Sequence, residues 1–529
     1  MPNTSLAEHC KETARRFLLT AVVVDDELSV STDPPVQGDL VRPGRGAPNR
    51  ARKAVASHPR SDRLLRVHPI TWSFARQGMV CGVVSPQDAG NDDEALAKAV
   101  ARADIVILDW RLGRNGDADA LPLLKRILTD DRSHRLRLIA IYTGETDHDG
   151  IRDRITNCLG ESDVRCRPAP AGDGHPRGVE FGACRIVVYA KPRTMLPERS
   201  AIIGEEELAD RLIADFARMV EGILPRLVLT ALAAVRENVF RVLECFDASL
   251  DPAFLTHRAC LSQPVDSEQH IVELVASEMR GIMEDKVARQ SPAGIELIEH
   301  WLQDRFADGK VAFGQGKEMS QREVRAMLED GVEKQRGPLR KGGRDFRVLS
   351  GGFSGCPEDG RQLDLRLAAA MSLRQVLAGT ERQLWMGTVV ERIGNDPKTL
   401  LCVTPKCDSV RLADISSFLF LSLSKPKPKT PQIVVPAEGN EHRRMTISME
   451  PSGWVMADFD PDPDRTCVLA HCNGADQEYT FKDACGTEYR WVGELKPEFA
   501  QSIAQALAER TSRIPLNKSE WLRRSEGSS

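Results

Sequence analysis

The chain has 529 residues, with 72 Lys plus Arg against 77 Asp plus Glu, a formal net charge of −5 and only 5% aromatic residues. This length exceeds one hydrophobic core and, at ~150 residues per domain, predicts about three domains. Near-balanced charge excludes a global pull toward nucleic acid or anionic membrane, and neither a signal-peptide core in MPNTSLAEHCKETARRF nor a long uncharged apolar span occurs, so a soluble, cytosolic chain is expected.

In chain order, the first strand is expected at 21–26, ending VVVDDE with Asp25 and Asp26. A segment at about 31–63, holding Pro34, Pro35, Gly38, Pro43, Gly44, Gly46, Pro48 and many arginines, reads as an insertion. ITWSFARQG ends a helix, MVCGVV is a second strand, and DDEALAKAVARA has the apolar spacing of a helix. IVILDW is the third strand and ends on Asp109; DADALPLLKRILT, 117–129, is an amphipathic helix. LIAIYTGE is the fourth strand, bringing Thr143 to its end, and DGIRDRITNCLG the next helix, stopped by Gly160. A second insertion covers about 161–183, where PAPAGDGHP is expected to be irregular. Strand 185–190, closing on Lys191, and helix 204–223 complete five βα units, which predict a doubly wound parallel sheet.

Four apolar runs thus end in Asp25 and Asp26, Asp109, Thr143 and Lys191. Ligands of open α/β sheets sit beyond the carboxyl ends of the strands, so these side chains are expected to share one pocket. Three carboxylates brought together repel one another, and a hard divalent cation resolves the conflict.

From about 226 to 380 the signals are helical: RLVLTALAAVRENVFRVLECF, SEQHIVELVASEMRGIMED, AGIELIEHWLQDRF and LDLRLAAAMSLRQVL carry apolar residues at i, i+3, i+4. Ser320 and Glu323 form a capping-box pattern opening SQREVRAMLEDGVEK. Beyond Trp385, short strand signals (LWMGTVVERI, TLLCVTP, SSFLFLSLS, QIVVP, RMTISME, WVMADFD, YTFKD, YRWVGEL) predict a β-rich domain, a small barrel or sandwich, closed by helix 497–511. The domains are therefore placed at 1–225, 226–380 and 381–529.

Weaker signals are set aside. The thirteen scattered cysteines read as reduced thiols. Zinc at Cys402, Cys407, Cys467, His471, Cys472 and Cys485 is disfavoured by wide spacing, and a Cys407 nucleophile with His442 or His471 lacks a local signature. VLSGGFSGC, 348–356, is expected to be a loop, and KPKPKT an exposed linker.

The ordered set VDDE, LD, YTG and AKP resembles the receiver (phosphoacceptor) domains of two-component response regulators, over about residues 15–225. The resemblance implies strand order 2-1-3-4-5 and a phosphoryl group accepted on Asp109 from a histidine kinase or phosphotransfer protein. It implies Mg²⁺ held by Asp25, Asp26, Asp109 and the Arg111 carbonyl, with Thr143 and Lys191 responding to the phosphoryl oxygens. It also implies a cis Lys191–Pro192 bond. The aromatic residue usual three positions before the lysine is Val188 here, and its neighbour Tyr189 is expected to face the other way. The architecture resembles, more loosely, the insert-bearing receivers of bacterial multicomponent antiviral systems, which implies a phosphate acceptor or sink. The competing expectation is a receiver-regulated effector whose C-terminal region is an enzyme or nucleic-acid binder. Partners expected are the kinase and an effector protein, with a homodimer left open and neither membrane nor nucleic acid required.

Overall fold

The computed structural model describes residues 6–29, 64–86, 93–112, 120–129, 135–160, 166–169, 178–192, 194, 201–261, 263–264, 266–288, 293–313, 318–331, 347–376, 380–394, 396–427, 432–437, 441–473 and 478–512. The chain divides into two compact units, Met1–Arg305 and Phe306–Ser529. The helical stretch expected at 226–380 is thereby shared between both units.

The first unit runs α1 (Leu6–Phe17), β1 (Thr20–Val24), α2 (Val67–Arg76), β2 (Val80–Val84), α3 (Asp93–Arg102), β3 (Ile105–Leu108), α4 (Leu121–Thr129), β4 (Arg137–Thr143) and α5 (His148–Gly160). It continues with β5 (Cys166–Ala169), β6 (Gly178–Phe181), β7 (Cys184–Ala190), α6 (Leu208–Met219), α7 (Ile223–Glu244), α8 (Asp251–Cys260), α9 (Asp266–Met283) and α10 (Ala293–Arg305). The sheet order is β2-β1-β3-β4-β7-β6-β5. Its first five strands are parallel, and counted alone they have the order 2-1-3-4-5.

Alternation along the strands explains why helices cover both faces. Ile105 and Ile107, Leu138, Ala140 and Tyr142, and Val187 and Tyr189 point into a core closed by α1, α2, α6 and α7, through residues such as Ala14, Phe74, Phe216 and Leu229. Val106 and Leu108, Ile139 and Ile141, and Ile186 and Val188 point into the opposite core, under α3, α4 and α5. Burying each such side chain contributes about 1.5–3 kcal/mol, so a one-residue slip in register would reverse the contribution of a whole strand.

Two expectations are corrected in this unit, and one helix is added to it. The stretch at 161–183 is not wholly irregular: β5 and β6 form an antiparallel hairpin, with β6 also antiparallel to β7. Val179 and Phe181 are buried while Glu180 between them is half-buried, so this hairpin has a face to bury and covers the sheet edge. Pro168 is accommodated because β5 is the outermost strand, where a missing N–H costs little. Second, no cis peptide occurs among the described residues, and Lys191–Pro192 is trans. The added helix is α1, packed on the α6 and α7 side. The first insertion, at about 31–63, lies outside the described residues, and the chain flanking it forms a short parallel pair, Leu28–Ser29 with Leu65–Arg66.

In the second unit, β8 (Lys310–Ala312) and β9 (Glu318–Ser320) make a hairpin, followed by α11 (Gln321–Asp330), α12 (Arg347–Ser354) and α13 (Pro357–Ser372). The Ser320–Glu323 capping box is formed in full. The run expected as a loop at 348–356 is instead mostly α12. Its glycines serve helix packing: a Cβ at Gly360 of α13 would overlap the Gly351 backbone, and one at Gly352 would overlap the Phe313 ring.

The remaining strands are β10 (Thr388–Arg392), β11 (Lys398–Cys402), β12 (Ser416–Ser424), β13 (Gln432–Pro436), β14 (His442–Ile447), β15 (Trp454–Phe459), β16 (His471–Asn473), β17 (Glu478–Lys482) and β18 (Glu488–Glu494). They form one nine-stranded antiparallel sheet, ordered β13-β14-β12-β11-β10-β18-β17-β16, with β15 on β12. One core lies under α14 (Pro497–Thr511), through Ala500, Ile503 and Leu507. A second gathers Phe418, Phe420, Phe459, Phe481 and Tyr489 from strands well apart in the sheet order, so the sheet curls over itself.

Candidate functional site

Parallel register brings the polar strand ends together. Val24 is level with both Val84 and Leu108, Leu108 with Ile141, and Thr143 with Ala190, so the next residues emerge at one edge. The backbone continues the ladder one step further: Asp109 N–H donates to Val24 O at 2.9 Å and Lys191 N–H to Thr143 O at 2.8 Å. That extra step holds the side chains beyond the sheet.

At this edge the Lys191 ammonium donates to Asp25 Oδ2 at 2.7 Å and to Asp109 Oδ2 at 2.9 Å. The second oxygen of each carboxylate is also engaged: Asp25 Oδ1 accepts from Glu27 N–H at 2.8 Å, and Asp109 Oδ1 from Trp110 N–H at 2.7 Å. Asp25, Asp109 and Lys191 are buried, whereas Asp26 is half-buried. One oxygen from each of Asp25, Asp26 and Asp109 lies within 4.8 Å of the others, and no second cluster of that kind occurs among the described residues.

The charges do not balance. Burial, and then Asp109, push the Asp25 carboxyl up to about 7 despite Lys191, and burial together with Asp109 raises Asp26. Lys191 stays above its ordinary value: burial works against its charge, but Asp109 and Asp25 outweigh it. Three clustered acids, two of them buried, with one cation therefore favour a further positive charge, and an all-oxygen donor set suits Mg²⁺ better than softer metals.

Thr143 is fully buried, and its Oγ accepts from Glu145 N–H at 3.2 Å, which fixes the turn after β4. Arg111 is half-buried, and its Nε donates to Glu145 Oε1 at 3.2 Å, tying the loop after β3 to the loop after β4. Glu145 lies within the YTGE run, yet nothing in its spacing announced this pairing. Trp110 is buried beneath the site with Arg154 over its ring at 4.6 Å. Val188 and Tyr189 do face opposite ways, in the two separate cores. The Tyr189 hydroxyl donates to Asp215 at 2.5 Å and accepts from Arg211 Nε at 3.1 Å.

The cysteine sites do not assemble. Cys402 and Cys467 are buried, Cys407, Cys472 and Cys485 exposed, and none joins a metal-binding group among the described residues. Cys407 donates to Asp408 at 3.3 Å, and that contact raises its thiol, opposing any nucleophilic role. No described helix is long and apolar enough to cross a membrane.

Residues 17–195 match the family model described as a response receiver domain. No curated protein and no solved structure matches the chain. The match spans every strand end described above, and residues 17–195 are accordingly a response receiver domain.

Proposed function

We propose that the chain is a phosphorelay signalling protein that accepts a phosphoryl group on Asp109 from the phosphohistidine of a partner histidine kinase or phosphotransfer protein. The observation carrying this reading is the convergence of Lys191 on Asp109 within a cluster of three carboxylates. A carboxylate oxygen of Asp109 attacks phosphorus; the P–N bond breaks, and its electron pair stays on the imidazole nitrogen, which takes up a proton. Lys191 then has a phosphoryl oxygen to neutralise, and the Thr143 hydroxyl is available to donate to another.

Asp25, Asp26 and Asp109, with the Arg111 carbonyl, are the residues that would hold Mg²⁺. Bound there, the ion supplies charge neutralisation for the incoming phosphoryl oxygens. The test is intact-mass analysis after incubation with a small phosphodonor and Mg²⁺. A single phosphate adduct is expected on the wild type and none on Asp109→Asn; an equal adduct on both would overturn the assignment.

Residues 226–380 are read as a connector and 381–529 as an interaction module, within a multicomponent stress or antiviral system in which the receiver serves as phosphate acceptor or sink. The effector alternative has one observation in its favour, a cleft of about 710 Å³ lined by Arg382, Glu391, Arg443, Tyr479, Arg490 and Trp491, among others. It lies away from Cys407, and its arginines are matched by Glu391, Glu441 and Glu478, so it is neither a thiol site nor a basic stripe. That balance favours the interaction module.

A further inference from the structure

Helices α8 and α9 present two histidines to each other. His257 Nε2 and His270 Nδ1 are 3.2 Å apart, with ring centroids 5.4 Å apart and planes inclined by 36°. Both side chains are exposed and so open to solutes. Two nitrogens each about 2.0–2.1 Å from one tetrahedral metal are separated by about 3.3–3.4 Å, so the pair already has nearly the bite of a chelate.

The surroundings supply a reason for such a bridge. No residue of α8 is buried, and α9 buries only Ser267. Among the described residues, α8 is tied to α9 chiefly by polar bonds, with Phe254 half-buried. Arg258, beside His257, donates to Ser267 Oγ at 2.8 Å and to Glu268 Oε1 at 3.1 Å. These bonds fix the register of the two helices and hold the imidazoles in place before any ligand arrives. A direct His–His hydrogen bond requires one ring to donate and the other to accept, whereas a metal takes a lone pair from each neutral ring.

We propose that His257 and His270 form a two-nitrogen site for a borderline transition-metal ion of tetrahedral preference, Zn²⁺, which cross-links α8 to α9, with water completing the coordination. The site is separate from the carboxylate cluster and uses a different donor chemistry. Imidazole suits Zn²⁺, while the all-oxygen cluster suits Mg²⁺.

The experiment is calorimetric titration of the full chain with ZnCl₂, at saturating Mg²⁺ and with exposed thiols alkylated, followed by hydrogen exchange over residues 251–260. One binding equivalent is expected, weakened about tenfold or more by either His257→Ala or His270→Ala and no further by the double substitution. Asp109→Asn should retain it, and the metal should slow exchange across α8 only when both histidines are present. Binding untouched by either histidine substitution, lost in only one of them, or unaccompanied by protection of α8 would overturn the proposal.

Discussion

Lys191 donates to Asp109 across 2.9 Å, from the end of β7 to the end of β3, with the strand of Thr143 lying between them. The same ammonium reaches Asp25 at 2.7 Å, so one buried cation holds two of three acids. Removing it leaves those acids unpaired. Lys191→Met is expected to destabilise the first unit by about 3–5 kcal/mol without divalent ion and by clearly less with Mg²⁺. Denaturant unfolding with and without Mg²⁺ measures both values; equal losses in the two conditions would argue against shared charge at this site.

The raised Asp25 carboxyl makes metal binding depend on pH. Its value moves from the ordinary 3.8 to about 7 in the folded chain. The folded state therefore holds a proton that the unfolded state has released, and metal-free stability falls as pH rises between those values. Mg²⁺ binds the ionised form, so its affinity and its stabilising effect should climb through about pH 7 and then level off. Thermal unfolding across a pH series with and without Mg²⁺ reads this directly. Asp25→Asn should remove the climb at the same time as it weakens binding.

Asp104 anchors α7 to the opposite end of the sheet. It accepts from Leu19 N–H at 2.9 Å, from Thr20 N–H at 3.2 Å, and from Arg236 at 3.1 and 3.2 Å. Asp104→Ala orphans two backbone donors and a guanidinium, with an expected loss of about 3–5 kcal/mol. Faster hydrogen exchange across α7, with the phosphate adduct on Asp109 still forming, is the predicted pattern.

Tyr189 bridges β7 and α6 through its hydroxyl and faces away from the side on which Val188 lies. Tyr189→Phe leaves the buried Asp215 without that donor and should cost about 1–3 kcal/mol. Phosphorylation of Asp109 should persist in the variant, measured by intact mass at a temperature where it stays folded.

Two glycines are expected to respond in opposite ways to alanine. Gly360→Ala drives a methyl group into the Gly351 backbone and should destabilise the second unit by about 1–3 kcal/mol. Gly281→Ala, within α9 and facing open space, should stabilise its helix by about 0.5–1 kcal/mol. Equilibrium unfolding of the two variants gives both signs.

The receiver domain was legible because its signals are local. Val22 to Val24, Ile105 to Leu108 and Ile186 to Ala190 are short apolar runs with a polar residue immediately after, and a parallel sheet turns that order into shared position. Alternation likewise places Val188 and Tyr189 on opposite faces from the strand period alone. The α12 helix was missed because glycine disfavours helix when a segment is read alone. Only packing against Phe313 and α13 makes the small residues an advantage. The hairpin of β5 and β6 was missed for a similar reason: its prolines and glycines signal irregular chain, whereas the open edge beside β7 supplies partners for its backbone.

By itself, then, the sequence determined which residues stand at the strand ends and which chemistry they bring: carboxylates at 25, 26 and 109, a hydroxyl at 143 and an ammonium at 191. Tertiary structure alone decided that Lys191 engages Asp25 and Asp109 together, and that Arg111 is held by Glu145. It also decided that α1 and α7 close one face of the sheet. Those outcomes depend on pairings between residues tens to more than a hundred positions apart, which no local period encodes and which burial selects only when the whole unit is assembled.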